Sequence, residues 1–336
     1  MSYQTVYFKN EPRIIGAYSI GGPKEGKSQF AKYLHRTLSD DMFGESTFEK
    51  AECKMLSAAI GEAIKAAGKT EKDINALLSG DLLNQIISAS FAARDYNFPY
   101  IGIYNACSTF SEGLALSSAL IDGGYLKTTV TATVSHFSTA ERQYRYPLEL
   151  GSTRPPQSQW TVTGAGAAVV STANGNESFP KIVGATFGKV VDYGVTDVNN
   201  MGAAMAPAAA DTLEVLFSET QTSPKDYDLI VTGDLGALGT RLLKKLCKDH
   251  GFNIDDNHVD CGEMIYDINE KEYQGGSGAG CSAIVFSSYL YGKLIKKQIK
   301  RMIFMATGAL LSTLSSQQGE SIPGVAHAVI IEAGNE

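Results

Sequence analysis

The chain has 336 residues, a length that suits about two domains, and its 43% hydrophobic and 19% charged residues are an ordinary globular balance. Its 29 lysines and arginines face 36 aspartates and glutamates, and the net charge of -7 speaks against a dedicated nucleic-acid binder. Five cysteines with no CxxC pair fit a reducing compartment and neither a disulfide framework nor a zinc site. The amino end lacks a secretory pattern, and no run reaches the roughly 18 apolar residues of a membrane span.

Residues 13–20 read as a first strand that ends at Gly21-Gly22-Pro23. The stretch 21–28 matches the phosphate-cradling pattern G-x4-G-K-[ST] letter for letter. Pro23 removes a backbone donor from that cradle, and the pattern does not recur later in the chain, so the expectation is a surface loop. Residues 48–67 have helical spacing in Met55, Ala59, Ile60, Ala63 and Ile64, and stop at Gly68. Next come a short buried strand at 76–79, a helix at about 82–96 and a strand at 100–104. A helix at 108–121, closed by Gly123-Gly124, leads to strands near 128–134 and 166–171. The segment 138–160, with Pro147, Pro155 and Pro156, reads as the longest irregular stretch, the kind of loop that carries function. The second half opens with a helix at 206–218, a strand at 229–232 and a helix at 236–249. A glycine-rich turn at 275–280, a helix at 281–296 and strands at 302–306 and 325–332 complete the chain. The basic run 293–301 closes that last helix; it either complements the helix dipole in solvent or meets an anionic surface.

The chain is written twice. Residues 70–82 and 223–235 share a polar start, Lys-Asp, an apolar stretch and Ser/Thr-Gly-Asp-Leu, with Asp81 mirrored by Asp234. Cys107 and Cys281 precede matching Ser-Thr pairs by the same distance, and 164–170 echoes 324–330. A period this long is no solenoid. It predicts two copies of one α/β unit, residues 1–175 and 176–336, packed as pseudo-symmetric halves with largely parallel sheets covered by helices.

Cys107 stands where the strand at 100–104 turns into an apolar helix. There a helix dipole favours the thiolate and lowers its pKa, although a lone cysteine is equally a small buried hydrophobe. The Asn105-Ala106-Cys107-Ser108 turn, the helix after it and the doubling resemble the thiolase superfamily. That resemblance spans about residues 13–332 and implies a five-layered α-β-α-β-α sandwich, usually dimeric, with its site where the halves meet. More narrowly, 8–26, 135–147 and 160–168 resemble the stage V sporulation protein AD family. This implies binding of dipicolinic acid (pyridine-2,6-dicarboxylate) for uptake into developing spores. It also implies work alongside other spore membrane proteins, peripheral to the cytoplasmic side of the forespore or spore inner membrane.

Condensing enzymes of the superfamily need a histidine after the second-half strand, and this chain has Asp234 there. They also need an asparagine or second histidine near the glycine-rich turn, and 273–281 has neither. A buried carboxylate would repel both an oxyanion and a Cys107 thiolate, so the resemblance implies a non-catalytic binder. The alternative is an acyl-CoA or acyl-carrier condensing enzyme with Cys107 as nucleophile. His136 is then the best stand-in base, while His250 and His258 read as surface residues and His327 as a strand residue. A planar dicarboxylate calls for arginines and flat rings, offered by Arg142, Tyr144, Arg145, Tyr146, Arg154 and Trp160. These residues would equally pair with Glu141 and Glu149 on a solvated loop. Backbone amides at Cys107, Gly275 and Gly276 would add donors. No metal site or cofactor is expected, unless calcium arrives with dipicolinate and meets Asp81 and Asp234.

Overall fold

The computed structural model describes residues 3–144, 154–267 and 274–335. The first half contains β1 (Thr5–Tyr7), β2 (Arg13–Gly21), β3 (Arg36–Thr37), α1 (Phe48–Ala66), β4 (Ala76–Gly80) and α2 (Ile87–Ala92). It continues with β5 (Tyr100–Gly102), α3 (Thr109–Asp122), β6 (Thr128–Ser135), α4 (Phe137–Tyr144), β7 (Trp160–Thr161) and β8 (Gly164–Ser171). The second contains β9 (Lys181–Phe187), α5 (Met201–Thr220), β10 (Leu229–Thr232), α6 (Gly236–Asp249), β11 (His258–Asp260) and α7 (Cys261–Ile265). It ends with β12 (Gly276–Ser277), α8 (Ala279–Val285), α9 (Tyr291–Ile295), β13 (Arg301–Ala309), α10 (Thr313–Gln317) and β14 (Gly324–Glu332). A π-turn at Phe286–Leu290 joins α8 to α9, so the two run on as one helix.

The strand order is palindromic. One half reads β2-β8-β6-β4-β5, the other β9-β14-β13-β10-β11, and the two meet at Arg13 paired with Lys181. Helices α1 and α2 cover the outside of the first half-sheet, while α5, backed by α6, covers the outside of the second. Between the half-sheets lie α3, which touches strands of both, and α8, which packs on β2, β6 and β8 of the opposite half. These five layers are the expected thiolase-like sandwich. The sheets are mixed rather than largely parallel: in each half the outer three strands are parallel, while β8 and β14 run antiparallel to both their neighbours.

Local chemistry explains the elements. Every residue of β6 and β8 is buried, as strands covered on both faces must be, and Thr-Thr-Val-Thr-Ala-Thr-Val suits a pleated surface. Helix α1 begins where the Thr47 hydroxyl accepts from the Lys50 amide at 3.3 Å and ends just before Gly68 at φ +65°. Its buried Met55, Leu56, Ile60 and Ile64 face β2, β6 and β8, and each such side chain contributes roughly 1.5–3 kcal/mol.

Three readings of the sequence change. The helix expected at 82–96 shrinks to α2 with 3-10 turns either side, because Gln85 and Ile86 adopt φ of +59° and +46°. The segment 138–160 is not wholly irregular, since α4 occupies its start. Strand β9 went unread, its alternation interrupted by Gly184. Residues 21–28 form no phosphate cradle: a three-residue turn, Glu25–Lys27, replaces the long helix, and Glu25 is buried.

Candidate functional site

Cys107 lies in the 3-10 turn Ala106–Ser108 that opens α3. Ala106 has φ +50°, a conformation that costs energy and is retained where the surroundings fix it. Here those surroundings come from the other half. The Ser108 hydroxyl donates to the Ala306 carbonyl at 2.7 Å and accepts from the His327 amide at 3.2 Å. Gly308 lets β13 approach so closely that a Cβ there would stand 2.2 Å from the Asn105 carbonyl oxygen.

Asp234 arrives from the end of β10. One carboxylate oxygen accepts from the Thr307 hydroxyl at 2.8 Å, and the other from the Ser277 hydroxyl at 2.9 Å and the Gly278 amide at 3.1 Å. The Cys107 thiol lies beside the same carboxyl group. Burial pushes the thiol well above its ordinary pKa, and the neighbouring aspartate pushes it further. The expectation of a dipole-stabilised thiolate is therefore overturned: loss of solvent outweighs the helix terminus. Burial raises Asp234 as well.

A cleft opens over this pair, lined among others by Leu82, Tyr104, Tyr144, Met201, Ser277 and Gly278. One face of α4 supplies Ala140, Glu141 and Tyr144, and the Tyr144 hydroxyl donates to the Leu82 carbonyl. Glu141 accepts from Thr161 at 2.9 Å and pairs with Arg154 at 3.3 Å, whose guanidinium lies 5.1 Å from the Trp160 ring centre. Among the described residues no lysine or arginine lines the cleft itself.

Of the residues singled out from sequence, Cys107 and Asp234 meet. Gly275 and Gly276 stand behind them, where the Gln159 amide donates to both the Gly276 and Asp234 carbonyls at 2.9 and 2.6 Å. Gly278, two residues on, is the one that reaches the cleft. Asp81 serves its own turn, accepting from the Leu83 and Ala89 amides at 2.7 Å each. His136 is buried away from the cleft lining, one ring nitrogen against the Asp41 carbonyl at 2.8 Å and the other accepting from the Ser138 amide at 3.1 Å. Arg142 projects from the far face of α4, 3.6 Å from Glu49. Arg145 and Tyr146 lie outside the described residues. His258 is not a surface residue but buried in β11, beside Ile230 of β10 and 2.9 Å from the Thr232 hydroxyl. Tyr104 and Ser277 were missed. Tyr104 was legible as the residue three before Cys107, whereas Ser277 depends on the β7–β12 pairing between distant segments. Among the described residues no three His, Cys, Asp or Glu side chains form a metal-binding group.

OleA of Xanthomonas campestris bound to cerulenin shares the fold, at TM-score 0.63 and 13% identity, over 98% of this chain and 99% of that one. A variant OleA matches at TM-score 0.61 and 13% identity, over 97% and 99%. In sequence, Stage V sporulation protein AD of Bacillus subtilis (strain 168) is 41% identical over 329 residues, 98% of this chain and 96% of that protein. The family model for Stage V sporulation protein AD matches residues 2–332, and the chain belongs to that family of sporulation proteins.

Proposed function

We propose that this chain binds dipicolinic acid for uptake into the developing spore and performs no acyl transfer. The observation that carries the proposal is the buried Asp234 carboxyl group beside the buried Cys107 thiol, at the place where a condensing enzyme needs an imidazole. A thiol held protonated by burial and by a carboxylate is a poor nucleophile. The cleft that remains suits a small aromatic acid. Tyr104 and Tyr144 offer flat rings, Gly278 offers backbone approach, and Arg154, 3.3 Å from Glu141 of the lining, supplies a counter-charge beside the cleft. A calcium ion carried with the ligand would be held by dipicolinate's own oxygens, because Asp81 engages both of its oxygens with backbone amides.

Calorimetry with dipicolinate on the full chain is the direct test. Micromolar binding is expected, weakened about tenfold in Arg154→Ala and unchanged in Arg142→Ala. Millimolar or weaker binding, or equal loss in both variants, would remove the proposed site. Mass spectrometry after acyl-CoA exposure should find Cys107 unmodified; a stable adduct there would favour the condensing enzyme instead.

The chain acts, on this reading, as a peripheral protein on the cytoplasmic side of the spore inner membrane, with membrane partners of the uptake system. No helix among the described residues is long and apolar enough to cross a membrane. A homodimer fits the edge strand β5 and the residues just after it, where Ile101 and Tyr104 are 39% and 40% exposed, with Ile87 and Phe91 of α2 at 38% and 43%. Sedimentation analysis should show a dimer for the wild type and a monomer for Ile101→Asp. A monomeric wild type, or a variant that stays dimeric, would exclude this edge.

A further inference from the structure

The basic run at the end of the last long helix is unused by the cleft, and the structure shows what surrounds it. Along α9 and its cap, Lys293 is half-buried while Ile295, Lys296 and Lys297 are exposed. The Lys293 ammonium lies 5.4 Å from the Tyr289 ring centre, and Tyr289 packs edge-on against Tyr33 at 4.7 Å. The Lys32 ammonium in turn lies 5.1 Å from the Tyr33 ring. Two segments far apart in sequence thus build one face of alternating cations and phenol rings. No aspartate or glutamate occurs between Glu272 and Glu320, and the only acid between residues 20 and 39 is the buried Glu25. Among the described residues no carboxylate pairs with Lys32, Lys293, Lys296 or Lys297; Lys297 instead donates to the Asn335 carbonyl at 3.2 Å.

Helix-dipole complementarity does not account for this charge. The duplication provides an internal control: α3 ends at Asp122, the counterpart of Lys296 at the same offset that relates Cys107 to Cys281. Two helices in one layer, with the same polarity and the same role, end in opposite charges. The fold therefore does not require lysines there, and in a chain of net charge -7 their segregation to one face is a directed feature.

We propose that the face formed by Lys32, Tyr33, Tyr289, Lys293, Lys296 and Lys297 docks on the headgroup layer of an anionic phospholipid bilayer. Ammonium groups meet lipid phosphates electrostatically, and tyrosine rings, apolar with a polar tip, suit the interfacial zone. Exposed Ile295 adds an apolar anchor. The helix from Ala279 to Ile295 places this face roughly 25 Å from Gly278, so a docked chain keeps its cleft clear of the lipid. Docking through this face does not depend on which ligand the cleft takes.

Co-sedimentation of the full chain with vesicles decides the matter. Vesicles containing a third phosphatidylglycerol should retain the protein at low salt and release it at 0.5 M salt, and pure phosphatidylcholine should not bind it. Each lysine removed is expected to weaken binding about fivefold, so Lys293→Gln with Lys296→Gln and Lys297→Gln loses about a hundredfold. The same number of changes at Lys65, Lys69 and Lys72, on another face, should leave binding intact. Equal binding to neutral vesicles, no binding to either kind, or equal loss in the two triple variants would overturn the proposal. Folding of each variant is verified by its unfolding midpoint.

Discussion

Replacing Asp234 by alanine is expected to lower the unfolding free energy by about 3 kcal/mol, read as a shift of the urea midpoint at unchanged slope. The carboxylate is the common acceptor for the Thr307 and Ser277 hydroxyls and the Gly278 amide, and the Cys107 thiol lies beside it. Hydroxyls can rotate towards other acceptors, but the Gly278 amide is fixed, and an amide buried without a partner costs about 1–3 kcal/mol by itself. The donors also come from two separate segments, Ser277 of β12 with the adjoining Gly278 and Thr307 in β13, so the substitution removes the point at which they are tied to β10. A change below 1 kcal/mol would mean that solvent already reaches these groups. Asp234→Asn separates charge from contact. It keeps one acceptor oxygen but removes the negative charge that raises the Cys107 thiol, so alkylation of Cys107 by iodoacetamide should quicken about tenfold for each pKa unit recovered. Unaltered alkylation would show that burial alone holds the thiol protonated.

The same pair of residues shows how far the sequence can be read. Asp81 and Asp234 occupy matching places in a repeated motif, and the local part of that motif behaves identically in both copies. Thr70 with Asp73 and Ser223 with Asp226 form the same capping box before β4 and β10. Beyond those strands the two copies diverge. Asp81 holds its own loop, while in the second half Asp260 does that work, accepting from the Leu235 and Gly236 amides at 2.9 Å each and from Thr232 at 2.7 Å. Asp234 is thereby released to face Cys107. Resemblance to the thiolase superfamily made the layers and the opposing of Cys107 and Asp234 legible, and duplication the halves. It left Asp260 unread, because that residue acts across a strand pairing its own neighbourhood does not announce. Arg142 and Glu141 make the same point on a smaller scale. They are adjacent in sequence, yet a hundred-degree step along α4 sends one to a groove with Glu49 and the other to the cleft. A segment read as an irregular loop carries no such phase, so its cations could be nominated but not sorted.

Substituting Glu25 by glutamine is expected to stabilise the protein relative to wild type by an amount that grows with pH, from near zero at pH 4 to about 3 kcal/mol at pH 8. Glu25 is 1% exposed; one carboxyl oxygen accepts from the Thr163 amide at 3.0 Å and from the Tyr266 hydroxyl, and the other has no hydrogen-bond partner among the described residues. Burial raises its pKa from 4.5 to about 7. A carboxyl group raised in this way binds its proton more tightly in the folded state, so stability is lost as pH climbs from about 4.5 to about 7. Whole-protein stability would conceal this. The buried imidazoles of His258 and His327, lowered to about 3 and about 4, contribute in the opposite direction, losing stability as pH falls below 6.5. Over the interval from about 4.5 to 6.5 these effects oppose one another, and Asp260 and Asp81, raised by burial to about 7 and about 6, add to the Glu25 side, so a wild-type profile isolates no single group. The difference between variant and wild type cancels the histidines and isolates Glu25. Urea unfolding of both proteins at pH 4.5, 6 and 7.5 supplies it: a difference that does not change with pH would show that Glu25 carries its charge in the folded state throughout.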